Sequence, residues 1–164
     1  MHASISRAAT TLLLAVPIAA LGGRGAGAQP GAADVEAVEA ANRAFHAAAS
    51  ACDLARMAAA WAHEPYVRVI HPTNQRVDAG WEAVRASWRD LFEAFAEISV
   101  TMPEPHMRVG DEIAWVTAEE QFRGRRSSGE EVSATLLGTS VFENTDGRWL
   151  MVHHHVSVPP RPRR

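Results

Sequence analysis

Apolar positions in the first half of the chain recur with helical spacing from Ala33 onward. Val35, Val38, Phe45, Ala49 and Cys52 repeat at intervals of three, four or seven and form one apolar stripe. Asp53 stands where it can cap a second, short helix whose Leu54, Met57 and Trp61 share a face, and Pro65 stops it. "YVRVIHP" is a short β-rich run closed by Pro72, which has no N–H to give a ladder. "TNQRVDAG" reads as a turn or loop. "WEAVRASWRDLFEAF" predicts a third helix with Trp81, Val84, Trp88, Leu91 and Phe95 on one side.

After Ala96 the pattern changes to β-rich runs: "EISVTMPEPHMRVG", "DEIAWVTAEEQFRG", "EEVSATLLGTSVFENTDG" and "RWLMVHHHVSV". "NTDG" predicts a hairpin turn and "VGDE" another. Helices at one end and an antiparallel meander at the other define an α+β domain with no internal repeat, linker or second domain. A strongly curved antiparallel sheet packed against three N-terminal helices would satisfy this order. Gly138, Pro103 and Pro105 fit the bends such a sheet requires. Its concave side, partly lined by helix aromatics, forms a pocket open at one end.

Strict alternation sorts the side chains of the long strands into two faces. In "WLMVHHHVS" it sets Trp149, Met151, His153, His155 and Ser157 on one side, and Leu150, Val152, His154 and Val156 on the other. In "IAWVTAEEQF" it sets Glu120 with Ala114, Val116, Ala118 and Phe122, which makes Glu120 an acid on the apolar inner wall. A carboxyl there is desolvated and can pair with a histidine. Trp115 and Trp149 fall with the histidine pair, and aromatics on an outer face predict that a second subunit covers them. His153 and His155 also have the spacing of an H-x-H metal pair, with His71 or Glu119 as third ligand by residue type.

The ends and the charge narrow the setting. Arg7, the apolar stretch from Ala8 to Leu21 and the small residues Ala26-Gly27-Ala28 have the three parts of a secretory signal peptide over residues 1–28. This predicts export to a periplasmic or extracellular space, with no membrane attachment after cleavage. Residues 29–158 are then expected to form the domain, and 159–164, "PPRPRR", a disordered tail. The 164-residue chain has 16 basic residues, all arginine, and 19 acids; without residues 1–28 the balance is roughly −5. Such a surface argues against a nucleic-acid partner. The single cysteine, Cys52, can form no internal disulfide and is expected to be packed. There is no Gly-rich phosphate loop, no G-x-S-x-G elbow and no Cys–His nucleophile pair.

"ANRAFHAAASACDLARMAAAWA", "VIHP", "GWEAVRASWRDLF", "GDEIAWVTAEE" and "DGRWLMVHHHVS" occur in the order and spacing of the SnoaL-like group. The chain resembles that group over roughly residues 33–158, with "W-x-x-V-H-x-H-x-S" as the most specific part. The group belongs to the nuclear transport factor 2-like superfamily, which includes ketosteroid isomerase and the association domain of calmodulin-dependent kinase. The resemblance implies the cone fold and a dimer. It leaves activity open, because this fold hosts isomerases, cyclases, dehydratases, hydrolases and assembly modules. His71, before Pro72, resembles in position the catalytic carboxylate of ketosteroid isomerase; that enzyme's helix-1 tyrosine is Phe45 here, which cannot donate a hydrogen bond.

The expectation is an exported protein that binds a small, partly apolar molecule without a cofactor. If it is an enzyme, His71 and Glu120 carry cofactor-free isomerase or dehydratase chemistry. Phe45, Trp61, Trp88, Ser140 and His154 shape the pocket. Trp115, Trp149, His153 and His155 form a homodimer interface, and no metal ligand is assigned. Two other readings stand beside it: a non-catalytic dimeric binding or assembly module, and a metal site on His153 and His155.

Overall fold

A computed structural model of the chain describes residues 31–160, so the segment read as a signal peptide and the last four residues lie outside the described residues. Three helices come first: α1 Ala32–Ser50, α2 Leu54–Ala60 and, further on, α3 Trp81–Ala94. Asp53 caps α2 as its sequence position predicts, accepting from the N–H groups of Ala55 and Arg56 at 3.0 Å each. Helix α2 ends well before Pro65. Trp61 turns into extended backbone and bridges Met151 in parallel, which carries its ring into the core. Cys52 lies between α1 and α2 at φ 49°, half-buried and free.

The strands are β1 Arg68–Ile70, β2 Asp78–Ala79, β3 Phe95–Thr101, β4 His106–Val109, β5 Ile113–Arg126, β6 Glu131–Thr145 and β7 Arg148–Ser157. They form one sheet in the order β2-β1-β7-β6-β5-β3, with β4 also paired to β5. The expected α+β cone is present, with two departures from a pure meander. "TNQRVDAG" contributes β2, which pairs with β1, and β1 runs parallel to β7. "EISVTMPEPHMRVG" splits into β3 and β4 around Pro103 and Pro105, whose missing N–H groups interrupt the ladder. Strand β5 therefore changes partner along its length, pairing β4 over Ala114–Thr117 and β3 over Gln121–Arg126. The turn at Asp146-Gly147 has φ of 52° and 82°, the left-handed pair that a two-residue hairpin needs.

One irregularity reorganises the faces. Val141 pairs with His153 but Phe142 with Met151, so Val152 is an extra residue in β7. Such a bulge inverts the alternation on either side of it. Before it, Trp149 and Met151 point inward; after it, His154 and Val156 do, while His155 is exposed and His153 half-buried. The expectation that Trp149 shares an outer face with His153 and His155 is corrected by this residue: Trp149 is 6 % exposed and belongs to the core. Trp115 lies outward as expected, at 43 % exposed. The core joins Val38, Phe45 and Ala49 of α1 to Met57, Trp61, Val69, Val84, Val116, Phe142 and Met151.

Trp149→Ala should accordingly cost about 3–5 kcal/mol of stability, as large core truncations do. Trp115→Ala should cost less than about 1 kcal/mol in the isolated subunit. Urea denaturation measures both, and equal losses would contradict the bulged register.

Candidate functional site

The inner face of the sheet carries polar groups in an otherwise apolar wall. Register puts Val116, Ser140, His154 and Val69 in one row across β5, β6, β7 and β1. The next row runs Ala118, Gly138 and Val156, and the one after it holds Glu120 opposite Leu136. Gly138 is what lets Glu120 reach the histidines. A Cβ at this position would collide with the Glu120 carboxyl, lying 2.8 Å from its Cδ, so Glu120 lies down over the bare backbone. From there Oε1 is 3.9 Å from Nε2 of His154 and 3.7 Å from Nε2 of His46.

Each histidine is set by a different element. His46 lies on the buried face of α1, one turn after Asn42, and its Nδ1 is 2.8 Å from the Asn42 carbonyl oxygen. His154 Nδ1 is 3.1 Å from the Ser140 hydroxyl on the neighbouring strand. His71 follows β1, continues the inward alternation of Val67 and Val69, and meets the Trp88 ring edge-on at 4.7 Å. Phe45 packs on the rings of His46, His154 and Trp88 at centroid distances of 5.0, 4.7 and 5.4 Å.

These groups stand at the inner end of an open cavity of about 880 Å³. Phe45, His71, Trp88, Glu120 and His154 line it, with Phe95, Ile98, Phe122, Leu136 and Val156 as apolar wall. Asn74, Arg76, Asp78, Asp90 and Arg126 add polar groups to its lining, and Arg126 also covers the Phe95 ring at 5.0 Å. His71 Nε2, Trp88 Nε1, His46 Nε2 and Glu120 Oε1 are buried with no hydrogen-bond partner. Unpaired polar atoms are costly in a core; these four stand together, while Trp61 Nε1 is unpaired in the core away from the cavity wall.

Burial dominates the titration of the two sheet histidines. It pushes His154 down to about 3 and His71 down to about 4, against the pull of Glu120 on both and of Asp78 on His71. Both are neutral imidazoles at pH 7. Burial alone would push the Glu120 carboxyl up, but its interactions with His154, His46 and His71 together outweigh this and hold it below the usual carboxylate range. Because His154 is itself neutral at pH 7, it offers Glu120 an N–H dipole rather than a full charge.

The sequence-predicted residues separate cleanly in space. His71, Glu120, Phe45, Trp88 and His154 converge on the cavity. Ser140 is fully buried behind His154 and reaches the cavity only through that ring, and Trp61 is a core residue away from the cavity wall. On the outer face His153 and His155 have ring centroids 6.5 Å apart. Neither suggested third ligand joins them. His71 faces inward, and Glu119 lies in the row of Leu137 and Ser157. Among the described residues no three His, Cys, Asp or Glu side chains are arranged to hold a metal ion. His46 and Asn42 are members of the site that periodicity passed over. Their signal was two polar residues at four-residue spacing within the stripe of Val38, Phe45 and Ala49.

Comparison with known proteins agrees with this architecture. The model of the SnoaL-like domain matches residues 38–161, and the chain belongs to that family. Its fold is that of the nuclear transport factor 2-like superfamily. A candidate dehydratase of that family from Streptomyces avermitilis is 26 % identical with a TM-score of 0.70, over 77 % of this chain and 97 % of that one. A candidate calcium/calmodulin-dependent protein kinase type II association domain from Thiobacillus denitrificans is 30 % identical, TM-score 0.65, over 74 % and 94 %. The F-box protein SKIP8 of Arabidopsis thaliana is 31 % identical over 105 residues, 64 % of this chain but 42 % of that protein. The chain thus matches less than half the length of this relative.

The buried histidines give the site an acid signature. In the unfolded chain His154 and His71 take up protons near 6.5, whereas folded they do so only near 3 and 4. The unfolded state therefore binds more protons between these limits, and stability present above about pH 6.5 is lost as pH falls. Each fully titrating histidine contributes up to about 1.4 kcal/mol per pH unit. Urea midpoints at neutral and mildly acidic pH should show a steep loss in the wild type and a shallower one in His154→Gln. Equal slopes would contradict the assignment.

Proposed function

We propose that the cavity binds a small, partly apolar molecule and that His71 and Glu120 move a proton on it. The observation that carries this reading is the convergence of an ionised carboxylate and a neutral imidazole with an unpartnered Nε2 in one cavity. A cavity of about 880 Å³ lies within the range typical of small-molecule sites, and its mostly apolar wall with a few convergent polar groups is their usual lining. Glu120 or His71 can take a proton from a carbon next to a ligand carbonyl. Returning it to another carbon gives isomerisation; delivering it to a departing hydroxyl gives dehydration. Phe45 cannot donate to a developing oxyanion, and the unpaired indole N–H of Trp88 is the donor in the same wall. The description of the 26 % identical candidate dehydratase from Streptomyces avermitilis supports the class of chemistry. Export is part of the proposal and rests on the residue pattern of 1–28. Among the described residues no helix is long and apolar enough to cross a membrane.

The test is titration calorimetry against a panel of mono- and bicyclic ketones and hydroxyketones. At least one should bind saturably, and His71→Ala should weaken it at least about tenfold, the equivalent of one lost hydrogen bond in a desolvated site. Failure of the whole panel to bind, or unchanged affinity in His71→Ala, overturns the reading.

A second proposal concerns the outer sheet face. Ile113, Trp115 and Leu137 are exposed there, with His155 beside them in the same sheet. A homodimer formed through this face would cover them without closing the cavity on the opposite side. Sedimentation should show a dimer in the wild type and a monomer in Trp115→Asp that still binds the cavity ligand. A wild-type monomer at micromolar concentration would contradict it.

A further inference from the structure

Three imidazoles surround the Glu120 carboxyl, and their other ring nitrogens distinguish them. His154 can meet both of its partners while neutral: the Ser140 hydroxyl can donate to Nδ1, 3.1 Å away, and Nε2, 3.9 Å from Glu120 Oε1, can carry the proton. His71 has an Nε2 with no partner, and its edge-on neighbour is the Trp88 ring. His46 is different because both of its nitrogens face acceptors. Nδ1 lies 2.8 Å from a backbone carbonyl, which can only accept, so Nδ1 carries a proton. Nε2 lies 3.7 Å from a carboxyl oxygen. Without a second proton, lone pair would face lone pair in a site where His46 is 7 % and Glu120 3 % exposed.

A proton on Glu120 Oε1 would remove that conflict but create another. The same Oε1 lies 3.9 Å from Nε2 of His154, which carries its own proton when Nδ1 accepts from Ser140, so a proton on Oε1 would be set against that N–H. A buried carboxylate also needs a counter-charge nearby, and neutral His71 and His154 cannot supply it. The charged and titratable groups facing the cluster are thus Glu120 from β5, His154 from β7, His71 after β1, and His46 itself from α1, with Asp78 acting on His71.

We propose that His46 is the positioning residue of this site: a doubly protonated imidazole, anchored to α1 through Nδ1–H, that holds Glu120 as a carboxylate through Nε2–H. The consequence for a ligand rests on the proton-transfer reading above; the protonation state does not. With the pair internally neutral and His71 and His154 uncharged, the inner end of the cavity holds no free positive charge. A ligand carboxylate or phosphate would meet Glu120 there, and the two arginines of the cavity lining, Arg76 and Arg126, are already ion-paired with Asp78 and Glu130. The polar end of the substrate is therefore a neutral carbonyl or hydroxyl, which pairs with Trp88 Nε1–H and His71 without bringing a charge.

The experiment is a two-bond ¹H–¹⁵N correlation spectrum of the imidazole rings in the full chain at pH 7, with rings assigned through their own backbone correlations. The expected spectrum shows His46 with both nitrogens protonated and His154 as the Nε2–H tautomer. In Glu120→Gln the amide keeps the space but not the charge, and His46 should revert to a neutral ring protonated at Nδ1. A neutral His46 in the wild type overturns the proposal, and so does a cationic His46 that persists in a folded Glu120→Gln. Should that variant not fold, the wild-type spectrum alone decides. A cationic His46 in a protein that binds none of the ketone panel would sink the proton-transfer reading and leave this one standing.

Discussion

A single carboxylate buried on the inner face of the sheet constrains much of what surrounds it. Taking Glu120 out of water costs several kcal/mol unless it is charge-paired and hydrogen-bonded. The fold meets that demand with parts drawn from distant points in the chain. Helix α1 brings His46 against it, β7 brings His154, and β6 contributes both the bare backbone of Gly138 on which it rests and the hydroxyl of Ser140 behind His154. These contacts hold only while β5, β6 and β7 stay in one register, so the polar cluster and the sheet geometry specify each other.

The extra residue at Val152 is what reconciles the two halves of β7. Its first half has to send Trp149 and Met151 into the core beneath the helices. Its second half has to send His154 and Val156 into the cavity. The two pairs are separated by an odd number of positions, so an unbroken strand would serve only one of them. The bulge also leaves His153 and His155 on the outer side of the sheet, away from the cavity.

Much of this was legible in the sequence because periodicity and punctuation are strong here. The helical stripes, the Asp53 cap, the Asp146-Gly147 turn and the inward side of Glu120 follow from local rules that tertiary context left intact. His154 was likewise placed by alternation, and His71 by its strand-end position before Pro72, which resembles that of a family carboxylate. What could not be read was anything set by a count of one. A bulge has no residue signature in "WLMVHHHVS", so Trp149 was sent to the wrong face. Nor does the short extension after α2 announce that Trp61 leaves its helix for the core. His46 was hidden for another reason: a histidine in an apolar stripe resembles a packed core residue until the carboxylate opposite it is known, and Glu120 lies 74 positions away.

The central claim is that Glu120 is ionised in its buried seat, since both the proton-transfer reading and the role of His46 require it. Infrared difference spectroscopy between wild type and Glu120→Gln at pH 7 tests this without any ligand. The account predicts that the wild type loses an asymmetric carboxylate stretch on substitution and shows no carbonyl band of a protonated acid. A protonated carboxyl band assigned to Glu120 would contradict it.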